Sequence, residues 1–130
     1  MMRLLDTNTY VALKRDHEVV ARLVRESTKL LLSVVVIGEL LFGFRNGSRY
    51  DRNLRELNEF LDHDRVEVLP ITRTTADRFG RIAAALRKRG TPIPSNDIWI
   101  AAHTVESGGE LVTFDDHFNR VDGLVFTHVA

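Results

Sequence analysis

A chain of 130 residues with 18 acidic and 18 basic side chains has no net charge to attract nucleic acid or a membrane surface over long range. Its hydrophobic fraction of 44% is that of an ordinary globular protein, and no apolar run approaches the roughly 20 residues of a membrane helix. Without cysteine, the chain has no disulfide and no thiolate metal site. Asp6 interrupts the N-terminus before a signal peptide can form. We therefore expect one domain, residues 1–130, located in the cytoplasm and without a membrane partner.

The N-terminal half of the chain alternates short apolar strands with helices. Residues 3–5 are expected to form a strand that ends at Asp6, and residues of turn and helix-capping type follow it. A short helical segment runs to residue 14, and Asp16 is the expected N-cap of the next helix. The further elements, in chain order, are a strand at 29–32, a helix capped by Ser33, and a helix at 49–62.

The C-terminal half continues the alternation. Residues 66–69 read as a strand, and a long helix at 73–89 is expected to bury Ala76 with other apolar residues and to end at Gly90. Ser95 or Asn96 is the expected cap of the helix that follows. The last elements are a strand at 110–113, a helical turn at 115–120 and a strand at 124–127.

This order of elements predicts the class of fold. Strands that alternate with helices favour a mainly parallel sheet that is covered by helices on both faces. We therefore predict an α/β fold of three layers, α/β/α, around a central sheet of four to five short strands.

Charge is unevenly placed along the chain. Residues 73–89 carry six cations against one acid, whereas residues 110–122 carry four acids against one arginine. One interpretation is a solvated helix face, and the other is a basic rim beside an acidic pocket. Both remain open on the sequence alone.

Four acids stand at the ends of predicted elements: Asp6, Glu39, Asp97 and Asp115. In an open α/β sheet these positions meet at the carboxyl edge of the strands. Each has a structural alternative. Asp97 is favourable at a helix N-terminus, Asp115 is of turn type, and Glu39 is the least easily explained because its neighbours are apolar. Together, however, clustered carboxylates without nearby cations need a hard cation, and oxygen ligands select Mg²⁺ or Mn²⁺.

Four motifs of the chain resemble those of the PIN domain, and most closely those of its small VapC-type members, the ribonuclease toxins of type II toxin–antitoxin pairs. The similarity extends over essentially the whole chain, in the order of the family and near its spacing. The matching motifs are Leu5-Asp6-Thr7-Asn8, Gly38-Glu39-Leu40-Leu41-Phe42-Gly43, the stretch Ile93 to Ala102 and the stretch Leu111 to Phe118.

The resemblance implies a PIN-like fold and a Mg²⁺- or Mn²⁺-dependent endoribonuclease that cleaves RNA phosphodiester bonds by metal-activated water, leaving a 5′-phosphate and a 3′-hydroxyl. It implies that the four acids named above are both catalytic residues and metal ligands, with Asn96, Thr113 and Asp116 as supporting polar residues. The fourth acid is open between Asp115 and Asp116, and the threonine-x-aspartate spacing of the family favours Asp115. It also implies a cognate antitoxin and a homodimer. No substrate-binding residue is assigned. His117 follows the acidic turn and could reach the site, and a surface position is the favoured alternative.

Two alternatives belong to other classes of protein. One is a PIN-like module that binds RNA or protein and has lost catalysis, although all four acids are present here. The other is a different Mg²⁺-dependent phosphohydrolase that uses the same strand-end Asp6. A phosphatase of the haloacid dehalogenase type would need an acid at Asn8, and a phosphoacceptor receiver domain would need a lysine after Lys88.

Overall fold

A computed structural model describes all 130 residues of the chain and contains five strands and six α-helices. In chain order the elements are β1 (Met2–Leu5), α1 (Thr7–Lys14), α2 (Glu18–Glu26), β2 (Lys29–Ser33), α3 (Val34–Arg45), α4 (Tyr50–Leu61), β3 (Val66–Leu69), α5 (Arg73–Arg89), α6 (Ser95–Ser107), β4 (Glu110–Thr113), a 3₁₀ turn (Asp116–Arg120) and β5 (Phe126–His128). No helix is both long enough and apolar enough to span a membrane.

The five strands form one sheet in the order β3-β2-β1-β4-β5, and every neighbouring pair is parallel. Parallel crossovers are right-handed, so the helices between β1 and β3 lie on one face of the sheet and α5 and α6 lie on the other. The predicted α/β fold with a parallel central sheet is therefore confirmed. Strand order reverses between β1 and β4, which makes the crevice at their carboxyl ends the expected ligand site.

The core lies between the sheet and its two helix layers. Side chains on both faces of the central strands are at most 2% exposed, so these strands have no polar face. These side chains are Leu4, Leu5, Leu30, Leu31, Leu32, Leu111 and Val112. Such continuous apolar runs are typical of parallel strands covered on both sides. Polar side chains for binding or catalysis therefore lie at the ends of these strands.

Four local predictions are wrong. Asp16 does not cap α2 because its backbone is left-handed (φ 60°), and His17 caps the helix by accepting from the amide of Val20. Neither Ser95 nor Asn96 caps α6, which begins after Pro94 without a side-chain cap.

In α5, Ala76 is exposed and Thr75 faces inward instead, where its hydroxyl donates to the carboxylate of Glu106. The last strand runs over Phe126–His128 rather than 124–127, because the turn at Gly123 (φ 77°) continues through Leu124, whose amide donates back to Val121.

We expect Gly109→Ala to lower the free energy of unfolding by about 1–3 kcal/mol, the cost typical of overpacking a filled core. Gly109 precedes β4, and a Cβ there would lie 2.8 Å from Cδ1 of the buried Leu4 and 3.2 Å from the carbonyl oxygen of Met2. Gly80→Ala in α5 is the matched control, because nothing lies within 4 Å of its added Cβ and helix propensity favours alanine by about 1 kcal/mol. Urea denaturation measures both, and an equal effect of the two substitutions would contradict the packing argument.

Candidate active site

Asp6 lies where β1 meets α1 and is the N-cap of that helix. Its side chain is buried, with the residue only 7% exposed. Oδ1 accepts hydrogen bonds from the backbone amide of Thr9 at 3.0 Å and from the Thr9 hydroxyl at 2.9 Å. The Thr9 hydroxyl also lies 3.1 Å from the carbonyl oxygen of Val112 in β4, so its single proton is shared among neighbours on α1 and β4. The Asp6 carboxylate is therefore held in one orientation at the point where strand order reverses between β1 and β4.

Thr113 connects Asp6 to the loop that follows β4. Its buried hydroxyl donates to Asp6 Oδ2 at 2.6 Å and accepts from the backbone amide of Asp115 at 3.0 Å. One hydroxyl thus sets the position of two of the predicted acids. Burial raises the pKa of Asp6 above its usual value, the hydrogen bonds from Thr113 and Thr9 lower it, and the nearby charge of Asp115 raises it.

Glu39 lies in the second turn of α3 and is held from both sides. Its Oε1 accepts from the hydroxyl of Thr7 at 2.5 Å, and its Oε2 accepts from the side-chain amide of Asn96 at 3.3 Å. Thr7 is the first residue of α1 and Asn96 the second of α6, so the contact ties three helices together at the edge of the sheet. Asn96 acts here as a partner of Glu39 instead of as a helix cap.

Asp97 occupies the first turn of α6 and faces the other acids. Burial raises its pKa, the neighbouring His117 lowers it, and the charges of Asp115, Glu39 and Asp6 raise it further. The net shift is upward, so ionised Asp97 is disfavoured by its surroundings. A bound cation would reverse this balance.

His117 in the 3₁₀ turn lies beside two of these acids, which contradicts the expectation of a surface histidine. Its Nε2 is 3.0 Å from Asp97 Oδ2, and its Nδ1 is 3.9 Å from Asp115 Oδ1. Although Nε2 is buried and close to Asp97, the two atoms do not have the alignment of a hydrogen bond. His117 therefore has a ring nitrogen directed at the acids without a satisfied partner.

All four predicted acids line one cavity of about 490 Å³ at the carboxyl edge of the sheet. The other residues of this acidic cavity are Thr7, Asn8, Pro94, Ser95, Asn96 and Ile100. Asp116 is exposed and is not among them, since the chain turns away from the sheet after Asp115. The supporting residues Asn96 and Thr113 contact Glu39 and Asp6, whereas Asp116 contacts neither.

The residues at the acidic cavity fit a divalent cation. Asp97, Asp115 and His117 each offer one ligand atom, and these three atoms lie within 4.8 Å of one another. The unsatisfied ring nitrogen of His117 and the raised pKa values of Asp6 and Asp97 are the features that a cation would relieve. Carboxylate oxygens are the ligands that hard cations prefer.

The basic stretch of α5 does not form a rim around this cavity, because no residue of α5 lines it. Cations lie instead in an adjoining cavity of about 460 Å³ between α1, α3 and α4, which shares Thr7 and Glu39 with the acidic cavity. Its cations are Lys14, Arg15, Arg49 and Arg52. The basic rim predicted from residues 73–89 is therefore wrong for this cavity, and the cations beside it are ones that the sequence did not single out.

Sequence reasoning missed three residues that position the acids. Thr7 and Thr9 were interpreted as turn residues, and their hydroxyls instead orient Glu39 and Asp6. For Thr9 the available signal was its spacing, because a residue three positions after an N-cap presents its amide to the cap. The bond from Thr7 joins residues far apart in sequence and had no local signal. For His117 the signal was its position directly after the acidic turn, but only the fold of the 3₁₀ turn brings it to Asp97.

The chain is similar over nearly its full length to proteins of one family. Residues 3–124 match the model of the PIN domain. Ribonuclease VapC2 of Haemophilus influenzae is 35% identical over 124 residues, which cover 93% of this chain and 92% of that protein. The tRNA(fMet)-specific endonuclease VapC of Salmonella typhimurium is 29% identical, with 93% and 92% covered. Among solved structures, VapBC-1 from nontypeable Haemophilus influenzae superposes with a TM-score of 0.86 at 28% identity and covers 98% of both chains.

These similarities and the geometry of the acidic cavity agree, and the chain belongs to the PIN-domain family, among the VapC ribonucleases.

Proposed function

We propose that this ribonuclease is an endoribonuclease that requires Mg²⁺ or Mn²⁺ and serves as the toxin of a toxin–antitoxin pair. The observation that carries the proposal is the convergence of four carboxylates, from β1, α3, α6 and the loop after β4, on one cavity. We propose the same residues, Asp6, Glu39, Asp97 and Asp115, as the catalytic and metal-binding set. One core of 20 buried residues joins these elements, which supports residues 1–130 as a single domain.

Asp97 and Asp115 would hold the ion, with Asp6 and Glu39 contributing through the lone pairs that their present hydrogen bonds leave free. When bound, the ion supplies a positive charge that lowers the pKa of water in the site and offsets charge on the phosphate oxygens. The PIN-family expectation of a 5′-phosphate and a 3′-hydroxyl as products is part of the same proposal.

The chain's own residues prepare the site before substrate arrives. Thr9 and Thr113 fix the Asp6 carboxylate, and Thr7 and Asn96 fix Glu39, so little side-chain entropy remains to be lost on binding. Asn8 and Ser95 add polar groups to the cavity wall. Such preorganisation is what the alignment of a water and a phosphodiester requires.

RNA as substrate and an antitoxin as partner are supported by the relatives. The named relatives are ribonucleases, one of them specific for tRNA(fMet), and the structural neighbours include VapBC-5 from Mycobacterium tuberculosis, a member of the VapBC family of toxin–antitoxin systems. On α3, the side chain of Phe42 is 70% exposed, which gives an antitoxin or a second copy in a homodimer an apolar contact. A ribonuclease that acts on cellular RNA would work in the cytoplasm.

Replacing Asp6 or Asp97 by Asn should lower RNA cleavage at least about 100-fold, because one carboxylate is lost from the charge that holds the cation. Cleavage of a labelled RNA by purified protein, with Mg²⁺ and with EDTA, measures this. Asp64→Asn is the matched control, since Asp64 is exposed and lies outside both cavities. An inactive wild-type chain would favour the binding-module alternative, and activity on a phosphomonoester alone would favour the phosphohydrolase.

His117→Gln should weaken Mn²⁺ binding about tenfold and Mg²⁺ binding less, because Mg²⁺ selects oxygen ligands while a ring nitrogen favours a transition ion. Isothermal titration calorimetry of the two ions measures the difference. His63→Gln, at an exposed histidine after α4, is the control. An equal loss for both ions would assign His117 to orienting Asp97 instead of binding the ion.

Without a metal ion, Asp97→Asn should be more stable than the wild type at neutral pH. The folded pKa of Asp97 is raised, so its contribution to stability is fully present below the unfolded pKa near 3.8 and is lost as the pH rises through the folded pKa. The Asp97→Asn variant does not lose stability in this way, so the free energies of unfolding of the two proteins should converge at acid pH. Thermal unfolding in EDTA across this range measures it.

Adding Mg²⁺ should then stabilise the wild type more than Asp97→Asn, because the ion binds the folded state and uses the carboxylate. A wild type that is the more stable of the two in EDTA at pH 7 would contradict the proposed electrostatic penalty.

A further inference from the structure

The cavity between α1, α3 and α4, defined above by Lys14, Arg15, Arg49 and Arg52, is rich in cations. Thirteen residues line it, of which four are hydrophobic, and its charged residues are these four cations against Glu39 and Glu56. This basic cavity therefore has an excess of positive charge although the chain as a whole has none.

Three of the four cations have no partner of opposite charge. Arg52 pairs with Glu56 at 3.3 Å, whereas Arg15 and Arg49 make no side-chain hydrogen bond or ion pair. The ammonium of Lys14 lies 5.7 Å from the centre of the Tyr10 ring and 5.3 Å from that of Phe60, contacts that leave its N–H donors free. Unpaired cations that converge on one cavity are suited to an anion with several oxygens.

A second observation points to a ligand in the same cavity. Tyr10 is 2% exposed and lines the basic cavity, yet its hydroxyl has no hydrogen-bond partner. Burial and the charge of Glu56 raise the pKa of Tyr10 to about 12, so the hydroxyl remains a donor at neutral pH. A buried donor without an acceptor costs free energy that a ligand oxygen can recover.

The position of the cavity identifies the anion. It adjoins the acidic cavity through Thr7 and Glu39. An RNA strand that extends from the carboxylates across these two residues therefore reaches the cations directly. We propose that the basic cavity is a subsite for a backbone phosphate of the RNA beyond the scissile one, an assignment that rests on the proposed ribonuclease function. Phosphates along a single strand repel the catalytic carboxylates, and this subsite offsets that repulsion.

A protein partner is the competing occupant, because aromatic side chains and arginine are common in protein interfaces and Tyr10 and Phe44 line this cavity. What favours an RNA phosphate is the excess of positive charge, which includes a lysine, directly beside the acidic cavity. The experiment below separates the two occupants.

The test is binding of a short fluorescein-labelled single-stranded RNA, followed by fluorescence anisotropy in Mg²⁺ and at several salt concentrations. The protein carries Asp6→Asn so that the RNA stays intact. Adding Lys14→Gln, Arg15→Gln and Arg49→Gln should weaken binding roughly fivefold for each lost contact at about 0.1 M salt, and should reduce the slope of log affinity against log salt by about 0.7 for each contact.

The matched control removes three exposed and unpaired cations of α5 by Arg73→Gln, Arg87→Gln and Lys88→Gln, with the same change in net charge. This control variant should lose far less RNA affinity than the cavity variant, and its slope of log affinity against log salt should change far less. Equal losses in the two triple variants would overturn the subsite, because the effect would then be one of net charge. Unchanged RNA affinity in the cavity variant would also overturn it and leave a protein partner as the occupant. Thermal unfolding confirms that both variants are folded.

This outcome is distinct from a failure of the proposed function. If Asp6→Asn protein still cut the labelled RNA, the catalytic assignment would be wrong whatever the cavity variants showed. If RNA remained intact and the two triple variants bound equally, the catalytic assignment would stand and the subsite would fall.

Discussion

The hydrogen bond from Thr113 to Asp6 is the interaction on which the rest of the site depends. It joins the ends of two adjacent parallel strands, β1 and β4, at the point where strand order reverses. Because the same hydroxyl accepts from the amide of Asp115, it also fixes the loop that carries a second acid. A buried carboxylate is costly unless it is hydrogen-bonded. Asp6 accepts hydrogen bonds from Thr9 in α1 and from Thr113 at the end of β4. The fold can therefore tolerate a charge at its most buried edge.

Like-charge repulsion is the second constraint. Burial and neighbouring carboxylates raise the pKa of Asp97, and burial raises that of Asp6, so the folded chain holds these groups against their electrostatic preference. Threonine and asparagine donors hold Asp6 and Glu39 in place at short range, and His117 lowers the pKa of Asp97. The carboxylates thus destabilise the folded state locally, and the burial of the apolar strands on either side offsets this cost.

Charge is arranged in two adjoining regions around α1. Its N-terminus faces the acidic cavity, and its C-terminal residues Lys14 and Arg15 face the basic one. The helix dipole places its positive end near Asp6 and its negative end near the cations, which agrees with both distributions. A chain with no net charge can in this way bind a cation and an anion within one continuous surface.

The order of strands and helices, and the position of the four acids at one edge of the sheet, could be predicted from the sequence alone because both depend on local pattern. A short apolar run such as residues 30–32 between helical patterns predicts a buried strand, and a carboxylate directly after such a strand lies at the carboxyl edge of a parallel sheet. Tertiary structure decided what local pattern does not contain. It brought His117 to Asp97, set Thr75 inward in place of Ala76, and placed the cations of α1 and α4 beside the acids in place of those of α5. These outcomes depend on which helix packs against which strand, and contacts between residues distant in sequence determine that packing.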